Sequence, residues 1–264
     1  MQELYNFIIE NWILSTLFLT VLGILIFSFV SQKSSISPNE AVNLLNKMGD
    51  NILIIDLRPV DAFKKANVII DFTIPKCTLE ILEIASKQKK RVVIGTTGFT
   101  KKQENLIKSF SRKIPILKAG NMSLGVNLLM YLTEITSKSL GNNFLSKVFE
   151  VHHKHKVDYP SGTALMLGKG IADGKNKNFY NLIGKKYLNK KSFPYSKKIN
   201  FNSIRKGEVI GEHEVSFSSG KEIIKLNHES FDRALYSEGA LVAAAWLMSK
   251  KVGLYSMRDL LNFK

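Results

Sequence analysis

The sequence predicts an α/β fold: an incomplete parallel sheet, an α+β domain after it, and one transmembrane helix ahead of both. Three observations carry that expectation. Short apolar runs alternate with helical periodicity from residue 67 to residue 121, strand-like runs cluster late in the chain, and no charge interrupts Asn11 to Gln32. With 264 residues, 45% hydrophobic and 23% charged, the chain can build one or two cored domains and is too apolar for intrinsic disorder. Its single cysteine, Cys77, excludes an internal disulfide framework and a multi-cysteine zinc site, and suits a reducing compartment.

Trp12 to Val30 reads WILSTLFLTVLGILIFSFV, nineteen residues that at about 1.5 Å each span about 28 Å, close to the hydrocarbon thickness of a bilayer. A buried core helix of that length would carry a polar stripe. A cleavable signal peptide would show a basic start, a shorter apolar stretch and a small-residue cleavage site. Residues 1–32 are therefore expected to form a membrane anchor. Glu3 and Glu10 precede the span and Lys33 and Lys47 follow it, which places the remainder on the cytoplasmic side of the inner membrane. The chain carries +16 in all and its first 32 residues −2, leaving +18 on the rest. Such a surface suits anionic partners. Nucleic acid is not expected, because the lysines come as scattered pairs (Lys185-Lys186, Lys190-Lys191, Lys197-Lys198) in Asn-rich, loop-like sequence.

Ser37 as cap, Pro38 at the first helical position and Glu40 at the third predict a short helix through Leu45. Gly49-Asp50 turns the chain into Ile52 to Asp56, an apolar run suited to a buried strand. Asn67 to Phe72 and Arg91 to Thr97 are two more such runs, with helical spacing from Thr78 to Lys87 between them. That is a βαβ unit and implies parallel strands. A helix at Lys101 to Ser111 and a strand at Ile114 to Leu117 extend it, so ligands should bind beyond Asp71-Phe72-Thr73, Gly95-Thr96-Thr97 and Gly120-Asn121. The rest predicts a helix at Leu124 to Leu140, a strand at Lys147 to Val151 and a helix at Thr163 to Ala172. A loop-like stretch runs from Gly174 to Asn200, followed by strands at Val209 to Phe217 and Glu222 to Leu226 and a helix at Ala240 to Lys250.

The densest chemical signal is His152-His153-Lys154-His155-Lys156-Val157-Asp158-Tyr159-Pro160-Ser161-Gly162-Thr163, directly after a strand. Three histidines and two lysines in five residues repel one another if all are protonated, so an anion must neutralise them or some pKa values must fall. Ser161-Gly162-Thr163 opens a helix whose free N–H groups form a cradle for a carboxylate or phosphate. No acidic or cysteine partner stands at ligand spacing, and adjacent strand residues point to opposite faces, so no metal is expected. Nothing marks Ser161 as a nucleophile.

EVHHKHKVDYPSGTA, Glu150 to Ala164, closely resembles the signature of the 4-hydroxy-tetrahydrodipicolinate reductase family, also called dihydrodipicolinate reductase. Five further blocks occur in the family's order: IDFT (Ile70 to Thr73), VIGTTGF (Val93 to Phe99), AGNMSLGVNLL (Ala119 to Leu129), GEHEVSF (Gly211 to Phe217) and GLYSMRDLL (Gly253 to Leu261). The resemblance covers about residues 67–264 and implies reduction of a cyclic, imine-type dicarboxylate by hydride from NADPH or NADH, in lysine and diaminopimelate biosynthesis. By position in the motif, His152 is similar to the family's proton donor and acceptor and Lys156 to its second proton donor. His153, Gly162 and Thr163 match its substrate binders. Gly95, Thr96, Thr97, Ala119, Gly120, Asn121 and Met122 match its cofactor loops. The resemblance also implies a homo-oligomer, tetrameric in the family.

The front of the chain departs from that pattern. The family opens with a Rossmann-like strand and a G-x-G-x-x-G turn that seats the cofactor pyrophosphate. Ahead of Asn67 the only glycines are Gly23, within the apolar span, and Gly49. Ser37 to Ala66, with IIDLRPVDAFKKA, instead resembles the start of a membrane-anchored rhodanese-like protein and stops before that family's catalytic-cysteine loop. The expected organisation is therefore an anchor at 1–32, a rhodanese-like fragment at 33–66, a partial dinucleotide-binding domain at 67–122, a substrate and oligomerisation domain at 123–233, and a C-terminal segment at 234–264 returning to the nucleotide-binding domain. Two functions follow: an active reductase, or a catalytically impaired, membrane-tethered dicarboxylate-binding or assembly protein.

Overall fold

The computed structural model describes residues 66–183 and 199–263, together with Phe7 and Asn11. Every element below belongs to residues 58–264, one of two units into which the chain divides. β1 (Val68–Asp71) leads to α1 (Pro75–Lys87), which starts three residues before the expected Thr78 because Pro75 brings a helix-ready φ and has no N–H to lose. β2 (Arg91–Ile94) ends short of the expected Thr97, since the Gly95 N–H already turns to the Asp71 carbonyl at 2.8 Å. α2 (Lys101–Phe110) opens with a capping box. The Gln103 N–H donates to the Thr100 hydroxyl, and the Gln103 side chain accepts from the Thr100 N–H at 2.8 Å. After β3 (Pro115–Lys118), α3 (Leu124–Leu140) fills its expected range, capped by Ser123 at one end and by Gly141 at φ 66° at the other.

β4 (Leu145–His152) is followed by α4 (Gly162–Gly174), α5 (Phe179–Ile183) and β5 (Asn200–Arg205). The helix α5 falls within the stretch expected to be loop, because Phe179, Leu182 and Ile183 reach the second core. β6 (Gly211–Ser218) pairs with β7 (Ile223–Ser230), which runs four residues past the expected Leu226. Polar Asn227, His228 and Glu229 hide that extension in the sequence, but each has a partner on β6. α6 (Ala234–Leu247) begins six residues before the expected Ala240, with its first N–H held by the Asp232 carboxylate at 2.8 Å. Polar Ser237 and Glu238 interrupt the apolar pattern there. β8 (Gly253–Tyr255) and α7 (Met257–Leu260) complete the described elements.

β1, β2, β3 and β8 form one parallel sheet in that order. Successive residues face opposite sides, so Val92 and Ile94 pack with Leu82 and Ile107 under α1 and α2, while Val93 packs with Ala243 and Leu247 of α6. The second sheet, ordered β5-β4-β6-β7, is mixed: β4 runs parallel to β5 and antiparallel to β6. α3 and α4 cover it over Leu129, Leu167, Ile171, Phe201 and Phe217. The expected membrane span Trp12 to Val30, the helix after Ser37 and the strand Ile52 to Asp56 lie outside the described residues. Among the described residues no helix is long and apolar enough to cross a membrane.

α6 seats on the loop after β3 through Gly239, where an added Cβ would lie 1.8 Å from the Met122 carbonyl oxygen. Backbone cannot swing aside as a side chain can. Gly239→Ala is therefore expected to cost about 2–3 kcal/mol, read from urea denaturation at neutral pH, and an unchanged midpoint would contradict this packing.

Candidate active site

Register and pleat gather three polar side chains at the end of the second sheet. Glu150 on β4 stands directly opposite His213 on β6, and His152 follows two residues later on the same face. All three are buried, at 1%, 4% and 7% exposure respectively. The two imidazoles meet edge to face with ring centroids 5.0 Å apart. One oxygen of Glu150, Oε1, accepts from the Ser161 N–H at 2.9 Å and from Arg205 Nη2 at 3.2 Å. The other, Oε2, lies 3.5 Å from His152 Nδ1 and 3.9 Å from His213 Nε2.

Arg205 reaches this point because β5 runs parallel beside β4, with Arg205 next to His152. It also ties down the loop after β4. Its Nε donates to the Lys156 carbonyl at 3.2 Å, its Nη2 donates to the Asp158 carbonyl, and its guanidinium stacks 4.1 Å above the Tyr159 ring. Lys156 Nζ pairs with Asp158 Oδ1 at 2.7 Å and is a quarter exposed. His153 is partly buried, whereas Lys154 and His155 turn outward to Glu208, 3.5 and 3.8 Å away. The five-residue basic cluster thus divides into an inner set, His152, His153 and Lys156, and an outer pair.

The helix start beside them has the expected form. Ser161 caps α4 by accepting from the Ala164 N–H at 3.1 Å, and the N–H groups of Gly162 and Thr163 have no partner within the helix. Nothing lies within 4 Å of where a Cβ on Gly162 would stand, so the space before the helix is open. The Thr163 hydroxyl accepts from Asn121 Nδ2 at 3.2 Å, joining this turn to the loop after β3.

The cofactor-loop residues expected from the sequence fall into two groups. Thr96 turns inward, donating to Asp71 Oδ2 at 3.1 Å, and Met122 is buried under α6. These two brace the strand ends. Gly95, Thr97, Ala119, Gly120 and Asn121 border the accessible side. A Cβ on Gly120 would stand 3.4 Å from Met166 Sδ on α4 and 3.9 Å from Thr97 Cγ2, and one on Gly95 would strike the Phe72 ring at 2.2 Å. A separate cavity of about 470 Å³, lined by Ser123, His228, Phe231, Leu235 and Glu238, opens beyond the same loop and contains none of the expected catalytic, substrate-binding or cofactor-binding residues.

Electrostatics favour neutral imidazoles around a charged carboxylate. Burial pushes His152 down to about 4; Glu150 opposes this, while Lys156 and Arg205 add to it. Burial, then His152 beside it, pushes His213 down to about 3. Burial alone would raise Glu150, but hydrogen bonds from Ser161 and Ser203, with His152 beside it, outweigh burial and hold the carboxyl below its usual range. Burial and the Arg233 charge lower His153. The sequence expectation that no acidic group accompanies the histidines is therefore corrected by Glu150, whose i, i+2 spacing on a strand was the available signal. His213 could not be found that way, because only the β4–β6 register brings it in.

Glu150, His152 and His213 each place one ligand atom within 4.8 Å of the others, a donor set zinc accepts. The Arg205 guanidinium on the same carboxylate and the nearby Lys156 ammonium make this a poor seat for a dication.

These shifts set how stability varies with acidity. In the folded chain His152 and His213 stay neutral to about 4 and 3, whereas unfolded they take up protons below about 6.5. The unfolded state then binds more protons, so stability falls as pH drops from 6.5 toward 4. Glu150 acts in the same direction lower down, its contribution being lost as pH falls through its depressed native value. Urea midpoints measured across this window should fall with acidity, and less steeply in His213→Asn; an equal slope in that variant would contradict the assignment.

Two family models match the chain. "Dihydrodipicolinate reductase, C-terminus" covers residues 125–261 and "Dihydrodipicolinate reductase, N-terminus" covers residues 23–122. The latter begins 44 residues ahead of Asn67, inside the stretch expected to be membrane span and rhodanese-like fragment. A 4-hydroxy-tetrahydrodipicolinate reductase of Pelagibacter ubique (strain HTCC1062) is 81% identical over 210 residues, 80% of this chain and 81% of that one. One from Buchnera aphidicola subsp. Cinara cedri is 36% identical over 243 residues, 90% of this chain and 87% of that one. Dipicolinate-bound dihydrodipicolinate reductase from Paenisporosarcina sp. TG-14 shares the fold, with a TM-score of 0.63, 22% identity and 84% of each chain covered. By both family models and by these relatives, the chain belongs to the 4-hydroxy-tetrahydrodipicolinate reductase family.

Proposed function

We propose that this chain reduces 4-hydroxy-tetrahydrodipicolinate to tetrahydrodipicolinate with hydride from NADH or NADPH. One hydride and one proton enter and one water leaves. The observation that carries the proposal is the meeting of a buried neutral imidazole, His152, and an ammonium, Lys156, with the open N-terminus of α4. A substrate carboxylate would rest on the N–H groups of Gly162 and Thr163 and on the Thr163 hydroxyl, favoured by the helix dipole. Lys156 supplies charge toward the rest of the dianion, and neutral His153 a ring N–H.

The nicotinamide supplies the hydride, and the protein must match it with a placed acid. Lys156 and Arg205 help hold His152 neutral at rest. An anionic substrate beside them offsets that influence and raises the affinity of His152 for a proton. His152 then serves as proton donor and acceptor, with Lys156 as the second donor. The accessible loops, Gly95 to Thr97 and Ala119 to Asn121, adjoin α4 and suit the nicotinamide end. Residues 67–122 with 234–264 form the nucleotide side of this assignment and 123–233 the substrate side. Assembly as a homo-oligomer, tetrameric by resemblance, belongs to the same proposal. A membrane tether at Trp12 to Val30 plays no part in the chemistry.

The missing glycine-rich turn favours one second reading, a dicarboxylate binder with little cofactor affinity. Each charge-assisted hydrogen bond lost there would cost about 1.5–3 kcal/mol. Initial rates with NADH, NADPH and freshly prepared substrate separate the two. Turnover is expected, with kcat falling about 10²–10³-fold in His152→Gln and Lys156→Met. No turnover above the His152→Gln control, with calorimetric binding of a planar dicarboxylate but of neither cofactor, would overturn the enzyme assignment.

A further inference from the structure

Four buried polar atoms without a hydrogen-bond partner lie together behind the catalytic histidine: Glu150 Oε2, His152 Nδ1 and both ring nitrogens of His213. Isolated buried polar groups are costly, and here the partners at hand are one another and the Ser203 hydroxyl, opposite Glu150 on β5. A carboxylate only accepts, whereas each neutral imidazole carries one N–H. The arrangement that satisfies most of these atoms has both rings donating to Oε2. Glu150 cannot turn away from them, because Oε1 is held by the Ser161 N–H and by Arg205.

We propose that Glu150, with His213 as its second anchor, is the positioning residue that fixes the proton of resting His152 on Nδ1 and leaves Nε2 for the substrate. This rests on the assignment of His152 as the proton-transfer group. Gly211 supports it from the other side of the ring. A Cβ there would stand 3.3 Å from His152 Nε2 and 3.5 Å from His213 Cε1, so the absence of a side chain keeps that nitrogen clear. The groups facing His152 come from every neighbouring element: Glu150 from its own strand, His213 from β6, Arg205 from β5, and Lys156 and Asp158 from the loop. Among them only Glu150 offers an acceptor to Nδ1 from within the sheet. Glu150 also links two functions, since Ser161, whose N–H it holds, caps the helix that cradles the anion.

The test uses the full chain with ¹⁵N-labelled histidine, His152 being assigned by its loss in His152→Gln. At neutral pH, His152 should show a protonated Nδ1 and an unprotonated Nε2, and the opposite tautomer would overturn the proposal. In Glu150→Gln an amide can donate to Nδ1 and favour that opposite tautomer. kcat should then fall about 10²-fold or more with KM changed less than about threefold, and the acid limb of the pH–rate profile should shift. Glu150→Asp should recover part of kcat and restore the tautomer. Unchanged kcat and tautomer in Glu150→Gln would overturn the proposal. Should that variant fail to fold, the wild-type spectrum and the same measurements on His213→Gln decide. Full activity in His152→Gln would instead remove the assigned role of His152 while leaving the tautomer result standing on its own.

Discussion

A carboxylate that is 1% exposed stays charged only if its surroundings replace the water it has lost, and Glu150 forces such an arrangement on the second sheet. Its oxygens draw on every element around it: the Ser161 N–H from the start of α4, Arg205 from β5, His213 from β6 and His152 from its own strand. Arg205 in turn holds the loop from Lys156 to Tyr159 through two carbonyls and an aromatic face. The loop after β4, the first turn of α4 and His152 are thereby fixed by one buried charge and the cation that balances it.

The two sheets meet their functions through contacts of a different kind. Thr163 at the anion turn and Asn121 on the loop after β3 share one hydrogen bond, and Gly120 sits against Met166 of α4. Small residues permit that approach, as Gly239 does where α6 rests on the Met122 carbonyl. Asp71 organises the strand ends on the nucleotide side much as Glu150 does on the other, accepting from Thr73, Thr78 and Thr96. Each half therefore closes its ligand-facing edge around one buried acid.

Much of this was legible in the sequence, and the exceptions have physical causes. α3 matched its expected bounds because Ser123 and Gly141 are strong local stop signals at its two ends. α6 and β7 were longer than expected because their polar first turn and polar second half break the apolar period that sequence reasoning follows. The motif around His152 marked where polar side chains gather but not their wiring. Arg205 lies 55 residues beyond Glu150, and only strand register brings it there. Likewise the TTG and AGNM motifs marked the expected cofactor loops but not the direction of their side chains, and Thr96 and Met122 point inward. The N-terminal family model reaches back to residue 23, although the sequence ahead of Asn67 holds no glycine-rich turn of the kind the resemblance implies.

The central claim is that one buried carboxylate serves both an anion seat and a proton-transfer histidine. A crystal structure of the chain with a planar pyridine dicarboxylate tests it most directly. One carboxylate should lie on the N–H groups of Gly162 and Thr163 and the Thr163 hydroxyl, with the Ser161-to-Glu150 bond intact and His152 Nε2 directed at the ligand. A ligand bound instead against Lys154 and His155, or in the cavity beside His228 and Phe231, with the α4 turn empty, would contradict it.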